Sequence, residues 1–550
     1  MVRSPAPSPS TRVSCDCRLA RLFRWGGYLV VLLLGLCASS TAEAEERLDW
    51  RLTFQTPTSE GSGRYHRLQR AESWDPAETV LIVCDMWDSH HCQRAVQRVE
   101  ELAPRLQQVV AAARARGVTI IHAPSSCMQA YQDHPARKRA VAVAPASSFP
   151  EQISDWCDRI PAEEKGVYPV DQSNGGEDDD PLAHDAWLAE LAASGRQPRS
   201  PWLRQHAAIV IDSERDYISD EGKEVWSILQ ARGIKNVILT GVHTNMCVLG
   251  RPFGLRRMVQ AGMNTVLLRD MTDTMYEPSS RPFVSHFTGT DLIVDHIERH
   301  VCPTISSEQL VGGEPFRFAK DKRPTVAIVM AEDEYKTEQT LPAWALANLG
   351  HTCRVRLVFG SDTSLNDIPG IEAVAEADLL IVSARRRTLP AEQLAFVREF
   401  VAAGKPVLGV RTANHGFSTR QGEPAPGTVA WPEFDAQVFG GHYAGHHGNE
   451  ITPAHRVAAD ATLHPILQGF GSEPFTSGGS LYRVMPLADG TTPLLFGQIA
   501  NTPAEPSAWM FQRADGGRSF YTSLGHVSDF ENSRFQQLLA RATLWLLENR

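Results

Sequence analysis

One cysteine, Cys247, stands where a thiol could act as a nucleophile. It follows an apolar run at 236–242 and opens an amphipathic stretch at 247–262. This order predicts a strand, a turn and a helix whose N-terminal N–H groups would favour the thiolate. The same N–H groups could stabilise the oxyanion that forms when a thiolate attacks a carbonyl. On position alone, a nucleophile and a small buried residue fit the pattern equally well.

A nucleophilic thiol also needs a proton acceptor, and Asp85 is the candidate. It belongs to the segment TVLIVCDMW at 79–87, whose apolar part predicts a strand that ends near the aspartate. Burial against an apolar rim would raise the pKa of this carboxyl, so that it could exchange a proton with the thiol.

A parallel sheet is the element that would bring these two residues together. Short β-branched runs alternate with amphipathic stretches, which predicts a sheet covered by helices on both faces. Ligands bind beyond the carboxyl ends of such strands, so we expect polar side chains there to share one rim. The runs are 79–87, 118–124, 207–212, 236–242 and 264–270. The polar residues at their ends are Asp85, His122, Asp212, His243 and Asp270.

The same alternation returns after residue 324 and predicts a second sheet. The fold class is therefore α/β, with two three-layer α/β/α domains and mainly parallel sheets. We place the domains at 46–310 and 323–550, joined by a linker at 311–322. An insertion at 125–205 carries an acidic loop at 171–181, for which a calcium site and a solvated loop both stay open.

The N-terminal segment predicts export. Residues 1–44 contain five arginines, a short apolar core and an Ala-x-Ala signal, so we expect a signal peptide cleaved near Ala44. The mature protein would be secreted or periplasmic, with no stable membrane span. Seven cysteines then remain, and an odd number in an oxidising compartment leaves at least one thiol unpaired or bridging two chains.

The net charge and the spacing of the histidines limit the classes of ligand that the protein could bind. A formal net charge of −10 at pH 7 argues against binding to nucleic acid, because no basic surplus neutralises phosphates. His90, His91 and His122 do not have the spacing of a metal site, so we predict neither a metal nor a cofactor. A small-molecule substrate is expected, and a carbohydrate partner and a homo-oligomer are left open.

Two motifs give the first domain a family resemblance. VCDMWD at 83–88 and LTGVHTNMCV at 239–248 resemble the isochorismatase-like cysteine hydrolases, over about residues 75 to 300. The resemblance implies that Cys247 is the nucleophile and Asp85 its proton acceptor. It also implies a cis Val242–His243 peptide and an oxyanion hole formed by the backbone N–H groups of His243 and Cys247. Asp88, His122 and His243 would line the substrate pocket.

One position departs from that resemblance. The family has a catalytic lysine after its third strand, where this chain has IVIDSERDYIS at 209–219. There is no lysine between Lys165 and Lys223, and the nearest cation is Arg215. We take Arg215 as a replacement for the charge of the lysine, although a guanidinium cannot carry a proton at neutral pH.

The second domain resembles the ThuA-like proteins, which have the fold of class I glutamine amidotransferases. The resemblance covers about 323 to 550 and rests on AIVMAEDEYKTEQTLP, VFGGHYAGHH, LHPILQGF and GGRSFYTSLGH. The amidotransferase cysteine would stand at the turn that holds RTANHGF, residues 411–417, so its absence excludes glutamine hydrolysis. Sugar binding or sugar-linked chemistry is implied instead. The predicted ligand site contains Glu332, His415, His442, His446 and His526.

Two functions follow from these patterns. The first is an exported cysteine hydrolase that acts on a small amide, ester or vinyl ether and carries a sugar-associated domain. The alternative is a non-catalytic carbohydrate-binding or scaffold protein built from two degenerate enzyme folds.

Overall fold

The computed structural model describes residues 47–449 and 451–549, so the predicted signal peptide lies outside the described residues. The described chain contains two sheets flanked by helices, which confirms the α/β prediction. Within the described residues, no helix is both long enough and apolar enough to cross a membrane.

The first sheet has eight strands. They are β1 (Leu48–Pro57), β2 (Tyr65–Trp74), β3 (Thr79–Cys84), β4 (Thr119–Ala123), β5 (Tyr217–Ile218), β6 (Asn236–Val242), β7 (Asn264–Asp273) and β8 (Thr304–Ile305). Their order is β2-β1-β8-β7-β6-β3-β4-β5, parallel from β8 to β5, with the β1–β2 hairpin added antiparallel. The central strands β3 and β6 are buried at every position, which explains their unbroken apolar sequence.

The second sheet has nine strands. They are β9 (Thr325–Ala331), β10 (Arg354–Phe359), β11 (Leu379–Ala384), β12 (Val407–Val410), β13 (Ala454–Val457), β14 (Phe475–Thr476), β15 (Thr491–Gln498), β16 (Glu505–Gln512) and β17 (Arg518–Thr522). The order is β10-β9-β11-β12-β17-β16-β15-β13-β14. The first five strands are parallel and the last four extend the sheet with antiparallel pairs.

Helices cover both faces of each sheet. In the first half they are α1 (Gln93–Ala115), α2 (Pro135–Ala142), α3 (Pro181–Ala193), α4 (Gly222–Ala231), α5 (Leu255–Gln260), α6 (His286–His300) and α7 (Glu308–Val311). In the second half they are α8 (Thr337–Leu349), α9 (Ala391–Ala402), α10 (Phe434–Phe439) and α11 (Ser533–Glu548). The long helix α1 buries Val99, Leu102 and Leu106, the apolar positions that predict it.

One predicted strand is wrong. The run 207–212 forms a turn, and the strand that pairs with β4 is the short β5. The run does not form a strand because side chains take its backbone hydrogen bonds. The N–H of Val210 donates to the side chain of Gln107, and its carbonyl accepts from Arg114.

The helix expected at 247–262 is also wrong in part. Cys247 lies inside a single π-turn, Thr244–Val248, and regular helix resumes only at α5. Pro252 lies in the interruption, where a proline cannot donate the backbone hydrogen bond that a continuous helix needs.

The acidic loop of the insertion is solvated only in part, since Asp171, Ser173 and Asp180 are exposed. Asp178 is buried against Arg98, and Asp179 accepts the N–H groups of Gln93 and Arg94 at the start of α1. Its carboxylates therefore hold the insertion onto the sheet through ion pairs and a helix cap.

All seven cysteines of the described chain are free thiols, and all are buried. They are Cys84, Cys92, Cys127, Cys157, Cys247, Cys302 and Cys353.

Candidate functional site

Asp85 ends β3 with its carboxylate completely buried. Its backbone has a φ of +47°, a left-handed conformation that is uncommon for a residue with a side chain and recurs at functional sites. Oδ1 accepts the backbone N–H of Ser125 at 2.7 Å. The strand end and the first residues of the insertion thus fix the carboxyl in one position.

Cys247 reaches the same carboxyl from the π-turn after β6. Its thiol is 8% exposed and lies in hydrogen-bonding contact with Asp85 and with the backbone N–H of His243. Burial raises the pKa of the thiol, and the negative charge of Asp85 raises it further. The thiol at rest is therefore neutral. The Val242–His243 peptide is cis, as the motif implied.

The cation at this pair is Arg251, four residues after the cysteine. Its Nε lies 3.0 Å from Oδ2 of Asp85, and its guanidinium lies over the ring of Trp156 at 5.6 Å. The prediction of Arg215 for this place is corrected. The Arg215 side chain is 62% exposed and binds Asp212 at 2.7 Å.

Burial and the neighbouring groups together set the pKa of Asp85. Burial raises the pKa of the carboxyl, while Arg251 and hydrogen bonds from Cys247 and Ser125 lower it in part. The net effect is a pKa above the ordinary value, which suits a group that must first accept a proton and later return it.

A small cavity of about 10 Å³ adjoins Asp85 and His243. This volume holds about one water molecule. Nε2 of His243 is buried there without a hydrogen-bond partner, and burial lowers the pKa of this histidine to about 4. Trp87 stacks on Trp202 of the insertion at 4.5 Å, and the His90 ring lies 4.9 Å from His243. Aromatic rings therefore close this side of the site.

A larger open pocket of about 550 Å³ lies on the other side of the π-turn. Asn245 and Met246 form the wall that it shares with the turn of Cys247, and Trp156, Tyr168 and Gln172 of the insertion line it further. The Tyr168 hydroxyl and the Gln172 amide both donate to the backbone carbonyl of Asn245. The insertion thus builds a pocket that borders the π-turn, although Cys247 itself does not line it.

Two of the three predicted pocket residues have other contacts. Asp88 pairs with Arg196 at 2.9 Å and accepts the N–H of Leu203, so it anchors the end of the insertion. His122 is buried between Gln205 and Asp216, at 3.0 Å from each. Of the three, His243 is the one that lines a cavity with Asp85.

The five polar residues predicted at the strand ends do not all share one rim of the sheet. Asp212 belongs to an exposed turn with Arg215, and Asp270 lies within β7, where it accepts from Ser307. Only Asp85 and His243 of the five strand-end residues meet.

One group in the described chain has the spacing of metal ligands. Ligand atoms of Cys92, Asp178 and Asp179 lie within 4.8 Å of one another. However, Asp178 is already neutralised by Arg98, and Asp179 caps α1. Both carboxylates therefore already have partners within the protein. The absence of a metal stays a prediction.

In the second domain, three of the predicted ligand residues have local partners. The Glu332 carboxylate accepts backbone N–H groups at the start of α8, including that of Thr337 at 2.8 Å. His442 pairs with Asp435 at 2.8 Å, and His446 contacts the carbonyl of His447. Their ligand roles stay predictions.

The other two, His415 and His526, lie beside tyrosine rings. His415 lies 4.4 Å from the Tyr443 ring, and His526 lies 5.9 Å from the Tyr335 ring. Arg411, which the sequence prediction omitted, contacts Tyr335 as well. Polar and aromatic side chains thus lie close together in the segments that follow β9, β12 and β17.

Each half of the chain matches the model of a known protein family. Residues 79–283 match the isochorismatase domain model, and residues 325–546 match the ThuA model, described as trehalose utilisation. The chain is an isochorismatase-like domain followed by a ThuA-like domain. A search of curated proteins gave no match.

Solved structures align with each domain separately. A putative ThuA-like protein from Bacteroides uniformis is 16% identical and covers 42% of this chain and 95% of its own, with a TM-score of 0.33. A cysteine hydrolase from Pseudomonas syringae pv. phaseolicola is 17% identical and covers 43% and 93%, with a TM-score of 0.27. An isochorismatase family protein from Burkholderia thailandensis is 14% identical and covers 43% and 94%, with a TM-score of 0.25.

Sequence reasoning missed Arg251 in the isochorismatase-like domain, although a signal for it exists. Residues four apart share one face of a helical turn, and Arg251 follows Cys247 by four. The predicted cation, Arg215, lies in the segment that aligns with the family's third strand, whereas Arg251 lies four residues after Cys247.

Proposed function

We propose that the isochorismatase-like domain is a cysteine hydrolase that acts on a small amide, ester or vinyl ether. The observation that carries the proposal is the buried Asp85 carboxyl, which contacts both the Cys247 thiol and the Arg251 guanidinium. Burial of a carboxylate destabilises the fold, so a carboxylate buried between a thiol and a cation indicates a functional role. Its raised pKa suits a role in proton transfer.

In the proposed reaction on an amide or ester, Cys247 Sγ attacks the carbonyl carbon while Asp85 takes the thiol proton. The carbonyl oxygen becomes an oxyanion, and the thioester forms as the leaving amine or alcohol takes the proton from Asp85. Water then attacks the thioester, with Asp85 again accepting the proton, and the thiol is released. No external reductant or oxidant enters this sequence.

Arg251 would supply the positive charge of the family's lysine, but it would not take part in proton transfer as a lysine can. A guanidinium stays protonated, so every proton in the cycle passes through Asp85. Arg251 favours the ionised carboxylate, which is the form that can accept the thiol proton. Asp85 is thus the sole proton carrier in the proposed mechanism.

The backbone N–H groups of His243 and Cys247 are proposed as the oxyanion hole. The contact between the His243 N–H and the thiol supports this role, because a donor beside the nucleophile is also close to the oxygen of a bound carbonyl. His243 itself would be neutral near pH 7, since burial holds its pKa at about 4.

The 550 Å³ pocket is the proposed route of substrate entry. It is large enough for a small molecule, and it borders the π-turn that carries Cys247. Trp156 links the two sites, because it lines the pocket and lies over the Arg251 guanidinium. Movement of Met246 or Trp156 would open a path to the thiol.

The test is turnover of a library of small amides, esters and vinyl ethers by the full chain. Cys247→Ala should abolish turnover, and Cys302→Ala is the matched control, since Cys302 is a similarly buried thiol. A mass increase on Cys247 during turnover would report the thioester. Hydrolysis that survives Cys247→Ala at the full rate would refute the proposal.

A second candidate, a non-catalytic carbohydrate-binding or scaffold protein, has one observation in its favour. The cavity that adjoins Asp85 holds about one water, and the thiol beside it is almost fully buried. Under this alternative, the protein binds saccharides on an array equally well with and without Cys247→Ala, and no library compound is turned over.

We also propose that the protein is exported. The basic and apolar composition of residues 1–44 supports a cleaved signal peptide. N-terminal sequencing of the mature protein should begin at Glu45, and a mature chain that still begins at Met1 would contradict this.

A further inference from the structure

Arg411 occupies the sharp turn where an amidotransferase of this fold would carry its cysteine. It follows β12 directly, has a φ of +44°, and opens the short 3₁₀ helix Arg411–His415. This strand–turn–helix geometry presents one side chain at the carboxyl end of the sheet. Here that side chain is a cation, only 2% exposed.

The charge of Arg411 has no ion-pair partner among the described residues. Its Nη1 donates to the Ser523 carbonyl at 2.7 Å and its Nη2 to the Tyr335 hydroxyl at 3.1 Å. Nε is buried without any hydrogen-bond partner. Burial of a cation without an acid beside it destabilises the fold, and an anionic ligand would offset that cost.

Further unsatisfied donors surround this turn. The Asn414 Nδ2 and Thr412 Oγ1 atoms are buried and unpartnered, and so is Nη1 of Arg387 after β11. Arg386, in the same loop, donates to the carbonyl of Thr419. In the described chain, neither Arg386 nor Arg387 forms an ion pair. Four buried polar atoms without a partner, on Arg387, Arg411, Thr412 and Asn414, thus belong to the segments that follow β11 and β12.

The nearby acids are committed elsewhere. Glu332 caps α8 through backbone N–H groups. Glu334 binds Arg385 at 2.7 Å, Asp333 contacts the same arginine, and Asp435 pairs with His442. Asp529, whose negative charge also acts on Arg411, accepts the backbone N–H groups of Gly478, Gly525 and His526. None of these carboxylates therefore forms an ion pair with Arg411.

Aromatic rings enclose the Arg411 guanidinium. It lies 4.0 Å from the Tyr335 ring and 4.8 Å from the Tyr482 ring, and the Tyr443 ring is 4.7 Å from Tyr482. Tyr335 and Tyr443 are half-buried, so part of each side chain is accessible to solvent. Flat apolar faces beside a charged donor suit a ring that bears an acidic group.

The location also favours a ligand. In the order β10-β9-β11-β12, strands leave β9 in opposite directions, so the chain ends of β9 and β11 flank a crevice. Ligands bind at such reversal points in open α/β sheets. Tyr335 follows β9, Arg386 and Arg387 follow β11, and Arg411 follows β12.

We propose that the ThuA-like domain binds a small organic anion, whose carboxylate or phosphate group is held by Arg411 with help from Arg386 and Asn414. The ring-bearing part of the ligand packs on Tyr335, Tyr443 and Tyr482. This site is separate from Cys247, and its existence does not depend on the proposed hydrolase.

The experiment compares D-glucuronate with D-glucose, which share a pyranose ring and differ in the carboxylate, and adds inorganic phosphate as a ring-free anion. Binding to the full chain is measured by calorimetry and by the shift in unfolding midpoint, since a ligand of the folded state raises that midpoint. Glucuronate and phosphate should bind, glucuronate more tightly, and glucose should not. Raising the salt concentration should weaken both anions.

Variants separate the charge from the fold. Arg411→Lys keeps the charge but loses the planar fork, and should weaken glucuronate binding by about 10-fold or more. Arg386→Gln, at a half-buried position, should weaken it by a few-fold without unfolding the domain. Arg456→Gln, at an exposed arginine of β13, is the matched control and should bind as the wild type does.

Three results would overturn the proposal. These are glucose binding as tightly as glucuronate, no shift with either anion at about 50 mM, and equal anion binding by wild type and both Arg411→Lys and Arg386→Gln. Cys247→Ala should bind the anions normally, so a failed hydrolase assay and a failed anion assay are distinguishable.

Discussion

Arg251 Nε lies 3.0 Å from Oδ2 of Asp85, and the same carboxyl contacts the Cys247 thiol. Nucleophile and cation come from one short segment, the π-turn and the residues after it, while the acid comes from the neighbouring strand β3. Because β3 and β6 pair in register, the acid and the turn are fixed relative to each other by the sheet itself.

Arg251→Gln should shift the pH dependence of turnover. Arg251 lowers the pKa of Asp85 against the effect of burial, so its loss raises that pKa. The carboxyl must be ionised to accept the thiol proton, and the acidic limb of kcat/KM should therefore move to higher pH. At pH 7 we expect a loss of about 10- to 100-fold.

Arg251→Lys and Arg215→Gln are the companions of that variant. The lysine keeps a positive charge, so its acidic limb should stay near that of the wild type. Arg215 binds Asp212 on the surface, and Arg215→Gln should leave the whole profile unchanged. A profile that moves with Arg215→Gln and not with Arg251→Gln would restore the original assignment of the cation.

Asp85→Asn should separate reactivity from catalysis. The negative charge of Asp85 raises the pKa of the Cys247 thiol, and Arg251 lowers it. Without the carboxylate, the thiol should ionise at lower pH, and the midpoint of its alkylation by iodoacetamide should shift downward. Turnover should still fall by about 10²- to 10⁴-fold, because the proton acceptor is gone. An unchanged alkylation midpoint would show that the carboxyl does not act on the thiol.

The buried strands were predictable from sequence because their physical signal is local. β3, β6 and β9 are short apolar runs, and each lies within or at its predicted segment. The two motifs around Asp85 and Cys247 predicted that these residues meet, and the carboxyl and thiol are in contact.

The contacts that depend on the insertion were not predictable. The strand β5 has only two residues, so no periodicity distinguishes it from the apolar run at 207–212. The partners of Asp178, Glu163 and Trp202 are distant in sequence, and only the folded chain brings them together. Arg411 was missed because a single buried arginine has no sequence pattern.

Glu163→Gln should destabilise the protein at neutral pH and remove an acid-sensitive contribution. Burial alone would raise the pKa of Glu163, but hydrogen bonds from His296 and Arg256 outweigh it and lower the pKa to about 2. The ion pair therefore contributes fully above pH 4.5 and is lost as the pH falls toward 2. Breaking it should cost about 3 kcal/mol, measured by urea unfolding between pH 7 and 3.

The matched control is Glu164→Gln, at an exposed neighbour. Its unfolding curve should follow the wild type at every pH. If Glu163→Gln lost stability with falling pH as steeply as the wild type between pH 4.5 and 3, the ion pair would not be the acid-sensitive element.

Asp291→Asn should uncouple the two domains. Asp291 of α6 binds Arg354 of β10 at 2.7 Å and Arg323, before β9, at 2.9 Å, so one carboxylate joins both halves of the chain. Burial would raise its pKa, but Arg354 and Arg323 hold it well below the ordinary value. The substitution leaves the Arg354 guanidinium without its ion-pair partner, while Arg323 keeps Asp321 at 2.7 Å, and it should cost about 3 kcal/mol. Calorimetry should then show two unfolding transitions in place of a coupled one, while Asp185→Asn, at an exposed acid, leaves the trace unchanged. A variant trace that matches the wild type would mean that the apolar contacts between the domains suffice to couple them.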